Sequence, residues 1–285
     1  MTVAINAPEH AVFSILKPSP RMPVLFLGHG SPMNAIEDNT YRRSWQALGK
    51  RFGHQANSAF PLPQLIVCIS AHWLTRGWKL TAMKSPRTIH DFVGFPQALF
   101  DQQYSAPGAP ITTEEIAARF SQPPLALDEH VWGLDHGAWS VLKPMFPEAS
   151  IPTVQLSMDY DRPASEHFRV GQQLATLRDH GVLIVGSGNV VHNLRTMKPD
   201  AAHKKAYDWA IEFDRIVADQ VQSGHRAALA DFQNLGQLAM QAHPTFEHYL
   251  PLLYAAGAAT DTDSVSFFNA EFQGASIAMR SMIWE

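Results

Sequence analysis

The chain has 285 residues, 46% of them hydrophobic and 17% charged, with 22 Lys plus Arg against 26 Asp plus Glu and a formal net charge of −4. A chain of this length and apolar content buries a full hydrophobic core, which excludes disordered, collagenous and coiled-coil classes. No basic run exceeds Lys204-Lys205, so no nucleic-acid partner is expected, and the single Cys68 forms no internal disulfide, which fits a reducing compartment.

In chain order, residues 1–21 read as an irregular, Pro-containing N-terminal arm and residues 22–285 as one domain. The arm carries Glu9 where a signal peptide is basic, and its apolar stretch Ala11-Val12-Phe13 is too short for a signal core. Pro23 to Leu27, ending at Gly28, is continuous apolar sequence, as a strand buried on both faces requires. Leu65 to Ile69, Ile151 to Leu156 and Val182 to Val185 repeat the pattern, and Val265 to Phe268 reads as an edge strand. Between them Thr40–Phe52, Thr113–Ser121, Ala138–Phe146, Ala164–His180 and His203–Ser223 have helical character. The stretch Met83 to Pro110, rich in Pro, Gly and aromatics, reads as a long ordered loop. Buried strands alternating with helices predict an α/β domain: a mostly parallel central sheet flanked by helices. The longest nearly apolar run, Tyr249 to Ala259, is far below the roughly 20 residues that span a bilayer. A soluble, cytoplasmic protein with no membrane partner is expected, and nothing in the sequence speaks to its oligomeric state.

The compositional oddity is 14 His. Three apolar strands run into one: Phe26-Leu27-Gly28-His29-Gly30, Ile69-Ser70-Ala71-His72, and Gly186-Ser187-Gly188-Asn189-Val190-Val191-His192. Ligands of open parallel sheets bind beyond the carboxyl ends of the strands, so these three histidines are expected to share a crevice. A fourth cluster is His243-Pro244-Thr245-Phe246-Glu247-His248-Tyr249, where Thr245 is a candidate N-cap that would put Glu247 and His248 in the first turn of a helix through Tyr254. A fifth is Gly133-Leu134-Asp135-His136-Gly137, in which a polar loop pair either serves chemistry or caps a helix. His90 and His243 are expected to flank the crevice. His10, His54, His130, His180, His203 and His225 sit in polar or terminal contexts and are expected at the surface, and His167 falls within a helix.

Residue types narrow the chemistry. Gly28-His29-Gly30-Ser31-Pro32 lacks the Lys-Ser/Thr of a phosphate loop, and Gly186-Ser187-Gly188 meets neither the nucleophile-elbow nor the dinucleotide fingerprint. Cys68, inside a strand, is a poor nucleophile. What remains is a His-rich site for one divalent metal, Zn²⁺ or Fe²⁺.

Phe26 to Met33, Ser70-Ala71-His72-Trp73, Ile89-His90-Asp91-Phe92, Gly133 to Gly137, Gly188 to Arg195 and Pro244 to Tyr249 occur in that order. As a set, spanning roughly residues 22 to 285, they resemble the DOPA 4,5-dioxygenase extradiol family, within the class III extradiol superfamily typified by the catalytic subunit of protocatechuate 4,5-dioxygenase. The resemblance implies a catalytic domain with a non-haem metal at the carboxyl ends of the strands, and an enzyme whose small-molecule partners are a catechol and O₂. It makes His29 and His72 metal ligands and puts a third in Glu247-His248: glutamate in the wider superfamily, His248 in the DOPA-type branch. His192 matches the active-site base, or completes a four-His shell, and His136 matches a histidine that contacts substrate or oxygen. Zn²⁺ is expected in the protein as purified and Fe²⁺ for dioxygenase activity. The ring would open beside its two hydroxyls to a muconic-semialdehyde-type product, with His192 as general base at its ordinary pKa near 6.5. Two alternatives stand beside this one: a zinc-dependent hydrolase of an amide or ester, and a non-catalytic metal-binding protein on the same fold. Arg195 is a candidate for a substrate carboxylate, although a surface position is the commoner fate.

Overall fold

Every residue of β1 (Val24–Gly28), β2 (Leu65–Ser70), β3 (Thr153–Gln155) and β4 (Val182–Gly188) is buried. Alternation explains why such strands carry no polar face: successive side chains point to opposite sides of a sheet that is covered on both. Val24, Phe26, Leu65, Val67, Val182 and Ile184 enter one core cluster, while Leu25, Leu27, Ile66, Cys68, Leu183 and Val185 enter the other. The computed structural model describes residues 13–54, 58–198 and 205–285. His10, His203 and the expected start of a helix at His203 lie outside them.

The central sheet runs β3-β2-β4-β1-β6-β5, with β5 Val265–Phe268 and β6 Ser281–Trp284. The first four strands are mutually parallel, and the last two are antiparallel to their neighbours. The mixed α/β architecture expected from the sequence is therefore the observed one. β6 is the addition: Ser281 to Trp284 inserts between β1 and the predicted edge strand.

Helices α1 (Thr40–Gly49) and α3 (His136–Met145) cover one face with Trp45, Leu48, Trp139 and Leu142. Helices α4 (Ala164–Leu174), α5 (Asp208–Gln222) and α6 (Leu250–Ala258) cover the other. The remaining predicted helix, α2 (Pro110–Ala117), starts three residues early because Pro110, which has no N–H to lose, is tolerated in a first turn. The same rule displaces the start of α6. Thr245 does not cap it; Pro251 sits in its first turn, and Glu247 and His248 precede the helix in a tight turn. Gly171 and Gly257 let α4 and α6 cross closely, since a Cβ at either would overlap backbone of the other helix.

Within residues 1–21, the described part is not a loose arm. Phe13 and Leu16 are buried in the core, and the Ser19 amide donates to Asp179 O. Fully buried Arg178 anchors the start of the domain, donating to Met22 O, Ala258 O and both carboxylate oxygens of Asp263.

His167 on α4 is buried in a polar relay. Trp78 Nε1 donates to the Tyr254 hydroxyl at 2.7 Å, and that hydroxyl lies 2.7 Å from His167 Nδ1. With its oxygen accepting from Trp78, Tyr254 donates its own proton to an unprotonated Nδ1, so the imidazole is neutral. Burial pushes its pKa down to about 4. The unfolded chain, with an ordinary value near 6.5, therefore takes up this proton first as the pH falls. Stability from His167 is complete above that value and is lost between it and the folded value. Urea titrations at several pH values are expected to show a loss in wild type that is smaller in His167→Gln by up to about 3 kcal/mol at pH 4.

Candidate active site

Three strand ends and two turns meet beyond the carboxyl edge of the parallel strands. His29 follows β1 directly, and its amide donates to Gly188 O at the end of β4. His72 lies two residues past β2, its amide bonded to Ser70 Oγ at 3.2 Å. His136 opens α3: Asp135 is the N-cap and accepts from Ala138 N. Of the two expected roles for that loop pair, capping falls to Asp135, which leaves the His136 ring free for the site. Gly137 is required here, because a Cβ would overlap Ser70 Oγ and the His72 ring. His248 is held against the end of β4, where the Asn189 amide donates to His248 O at 2.8 Å. A Cβ at Gly188 would overlap that carbonyl.

The rings converge. One ligand atom from each of His29, His72 and His248 lies within 4.8 Å of the others. Their tautomers follow from the outer hydrogen bonds. The Ser187 hydroxyl donates to Gly137 O, so its oxygen accepts from His29 Nδ1 at 3.0 Å. His248 Nδ1 donates to Glu247 Oε1 at 3.0 Å, and His72 Nδ1 faces Asp91 Oδ2 at 3.4 Å. Each Nε2 is left as the lone-pair nitrogen. Nε2 of His29 and Nε2 of His72 then stand 3.4 Å apart with no proton between them. Two lone pairs at that distance repel unless a cation lies between. Two nitrogens on one tetrahedral Zn²⁺ are separated by about 3.3 Å. The donor set and its outer carboxylate and hydroxyl partners fit a divalent metal.

Burial, then neighbouring imidazoles, hold His29 and His248 well below their ordinary pKa. Burial is also the main cause that takes His72 and His192 down to about 3. These rings are neutral at pH 7, the form that donates to a metal or accepts a proton. His192 thus departs from the value near 6.5 expected of it. Its ring stacks on that of His248, centroids 3.4 Å apart and 7° from parallel, and its donor atoms group with Glu247 and His248 rather than with His29 and His72. His136 lies on the other side, its ring centroid 3.9 Å from that of His72.

All five rings, with Asp91, Phe92, Phe95, Leu194, Met197 and Lys198 among their neighbours, line a cavity of about 520 Å³. Asp91, for which the sequence pattern indicates no role, is central. It accepts from the His136 amide at 3.0 Å, and His136 Nδ1 lies 2.9 Å from the same oxygen. Its burial favours the neutral acid, but the hydrogen bonds from His136 and the electrostatic influence of the His136 and His72 rings prevail and hold its pKa below the ordinary value. The signal for it was available: an acid in an aromatic loop, adjacent to a histidine. His90 and His243 stand behind the cavity wall. His90 donates to Gln102 O and packs on Phe92, while buried His243 donates to Val190 O at 2.7 Å. His54, His130 and His225 are exposed as expected and His180 is half-buried. Arg195 is exposed and does not line the cavity; Lys198 does.

Residues 23–281 match the family described as the catalytic LigB subunit of aromatic ring-opening dioxygenase. The chain belongs to this family. It is 49% identical over 250 residues to an Escherichia coli K12 protein named 4,5-DOPA dioxygenase extradiol, covering 87% of this chain and 89% of that one. A Beta vulgaris protein of the same name is 34% identical over 256 residues, 87% of this chain and 91% of the other. The crystal structure of an uncharacterized protein from Escherichia coli K12 superposes with a TM-score of 0.76 at 40% identity, covering 92% of this chain and 99% of that one. The chain is a ring-opening dioxygenase of the extradiol type, which decides against the hydrolase and the non-catalytic alternatives.

The outer hydrogen bonds are open to test. Ser187→Ala frees His29 Nδ1 and is expected to weaken Zn²⁺ binding by about 10- to 100-fold in a chelator-competition titration. Unchanged affinity would show that the tautomer of His29 is set elsewhere.

Proposed function

We propose that His29, His72 and His248 hold one divalent metal, Fe²⁺ in the active enzyme, and that the substrate is a catechol, DOPA or a relative of it. The facing Nε2 atoms of His29 and His72 carry this reading. When bound, the metal supplies the Lewis acidity and redox capacity that bring a catechol and O₂ together.

The chain's own residues do the rest. Phe92 and Phe95 line the cavity and give the aromatic ring an apolar wall. His192, neutral at pH 7, accepts a phenolic proton at an imidazole nitrogen. Negative charge on a bound catecholate beside the imidazolium would raise the pKa of His192 toward the range of a working base. His136, whose Nδ1 faces Asp91, presents its other edge to the cavity and hydrogen-bonds negative charge developing on oxygen. The ring opens beside the hydroxyl pair, giving a muconic-semialdehyde-type product. The same three imidazoles would also hold Zn²⁺, which would supply no redox capacity, so a zinc-loaded protein is expected to be inactive as a dioxygenase.

Protein reconstituted anaerobically with Fe²⁺ is expected to consume O₂ when a catechol is added, followed by an oxygen electrode and by product absorbance. Zn²⁺-loaded protein is expected to consume none. His192→Ala should lower kcat by about 10²- to 10⁴-fold while keeping Fe²⁺ bound. Loss of the metal in that variant would instead make His192 a ligand. Absence of catechol-dependent O₂ uptake by the Fe²⁺ form would overturn the proposal.

A further inference from the structure

The cavity has a charged group that ring opening does not employ. Lys198 lies six residues beyond His192 and lines the same space. It is not a freely swinging surface lysine. Its amide donates to Gly274 O at 2.9 Å, and its Nζ sits 4.5 Å from the centroid of the Tyr207 ring. Tyr207 is tied to the same segment, its hydroxyl donating to Thr196 O at 3.0 Å and its amide to Ala275 O at 3.1 Å. An aromatic face steadies an ammonium but satisfies none of its N–H donors with an acceptor. None of the ion pairs among the described residues involves Lys198.

Anionic capacity is arranged the opposite way. Among the described residues lining the cavity, Asp91 is the sole carboxylate, and it is committed to His136 and His72. Gln273, the lining amide, is spent on Ser31 N and the Asn34 side chain. Phe92, Phe95, Leu194, Met197 and Ile277 make the remaining wall largely apolar. Among the described residues lining the cavity, Lys198 is the one side chain with a permanent positive charge, and no carboxylate is uncommitted.

We propose that Lys198 binds a carboxylate on the side chain of the substrate, so that the preferred class is catechols with an acidic side chain, and that an amino group beside the carboxylate adds nothing. This rests on the catechol reading above. A catechol propionate and a catechol amino acid are then recognised alike, and a catechol amine without a carboxylate is disfavoured by the lysine charge.

The test compares kcat/KM of the Fe²⁺ enzyme for 3,4-dihydroxyphenylpropionate, DOPA, dopamine and 4-methylcatechol. It is paired with calorimetric binding of 3-phenylpropionate, which cannot react, to metal-free protein. Wild type is expected to treat the two acids within a few-fold of each other and to prefer both to dopamine. Lys198→Gln should reduce the ratio of kcat/KM for either acid to that for 4-methylcatechol by about 10- to 100-fold, mostly through KM. Lys198→Arg should restore most of the ratio, and Lys198→Glu should invert the preference toward dopamine. An unchanged ratio in Lys198→Gln, or a wild-type preference for DOPA over the propionate of more than about tenfold, overturns the proposal. Should no catechol be turned over, the ring-opening reading falls by itself and binding decides this one. Weaker 3-phenylpropionate binding in Lys198→Gln, rescued in Lys198→Arg, supports it, and equal binding in all three proteins refutes it.

Discussion

Lone pairs of neutral imidazoles, aimed at one another in a space shielded from water, are the arrangement on which the rest of this structure depends. Left alone, the rings of His29, His72 and His248 would turn to give each nitrogen a partner. They are prevented by what holds their far sides: the Ser187 oxygen, Asp91 and Glu247. Each far-side partner fixes a tautomer as well as a direction, and the tautomer is what leaves Nε2 free to donate. Burial acts in the same sense, because it removes the protonated form that could not bind a cation.

Holding such a cluster requires backbone that does not yield, and the fold supplies it by crossing chain segments at the strand ends. The end of β4 accepts the His29 amide and donates to the His248 carbonyl, while His192 N donates to Ala242 O. His243 reaches from the same turn to Val190 O, inside a cage of Phe213, Phe232 and Tyr249 rings. It is a strut between the two segments that carry His192 and His248. Glycine at 188 lets these segments meet, since any side chain there would occupy the space of the His248 carbonyl.

Charge is apportioned unevenly over the cavity. On the histidine side the lining acid, Asp91, is shared between two imidazoles that flank different parts of the site, and Glu247 is bonded to His248 behind it. This sharing couples His72, on the metal side, to His136, on the substrate side, through one carboxylate. A change in the hydrogen bonding of either ring is felt by the other. Among the described residues the lysine side is held by an aromatic ring and a backbone bond rather than by an acid.

The amino-acid sequence by itself determined the buried parallel strands, because continuous apolar runs ending in glycine have few other fates. It also determined that histidines follow those strands, and the carboxyl-end rule then places His29, His72 and His192 at one edge. Strand β6 was illegible, since Ser281 to Trp284 is too short to show a period and is recognised only by its pairing. The helix start expected at Thr245 failed for a local reason, Pro251, that was in plain view. Only the tertiary structure decided which histidines share donor space, because imidazole position depends on contacts between residues far apart in the chain. It turned His243 and His90 away from the cavity, stacked His192 on His248, and put Lys198 rather than Arg195 on the wall. The physical reason is the same in each case: sequence spacing fixes where the backbone emerges from the sheet, whereas hydrogen bonds from distant partners fix where each ring nitrogen points.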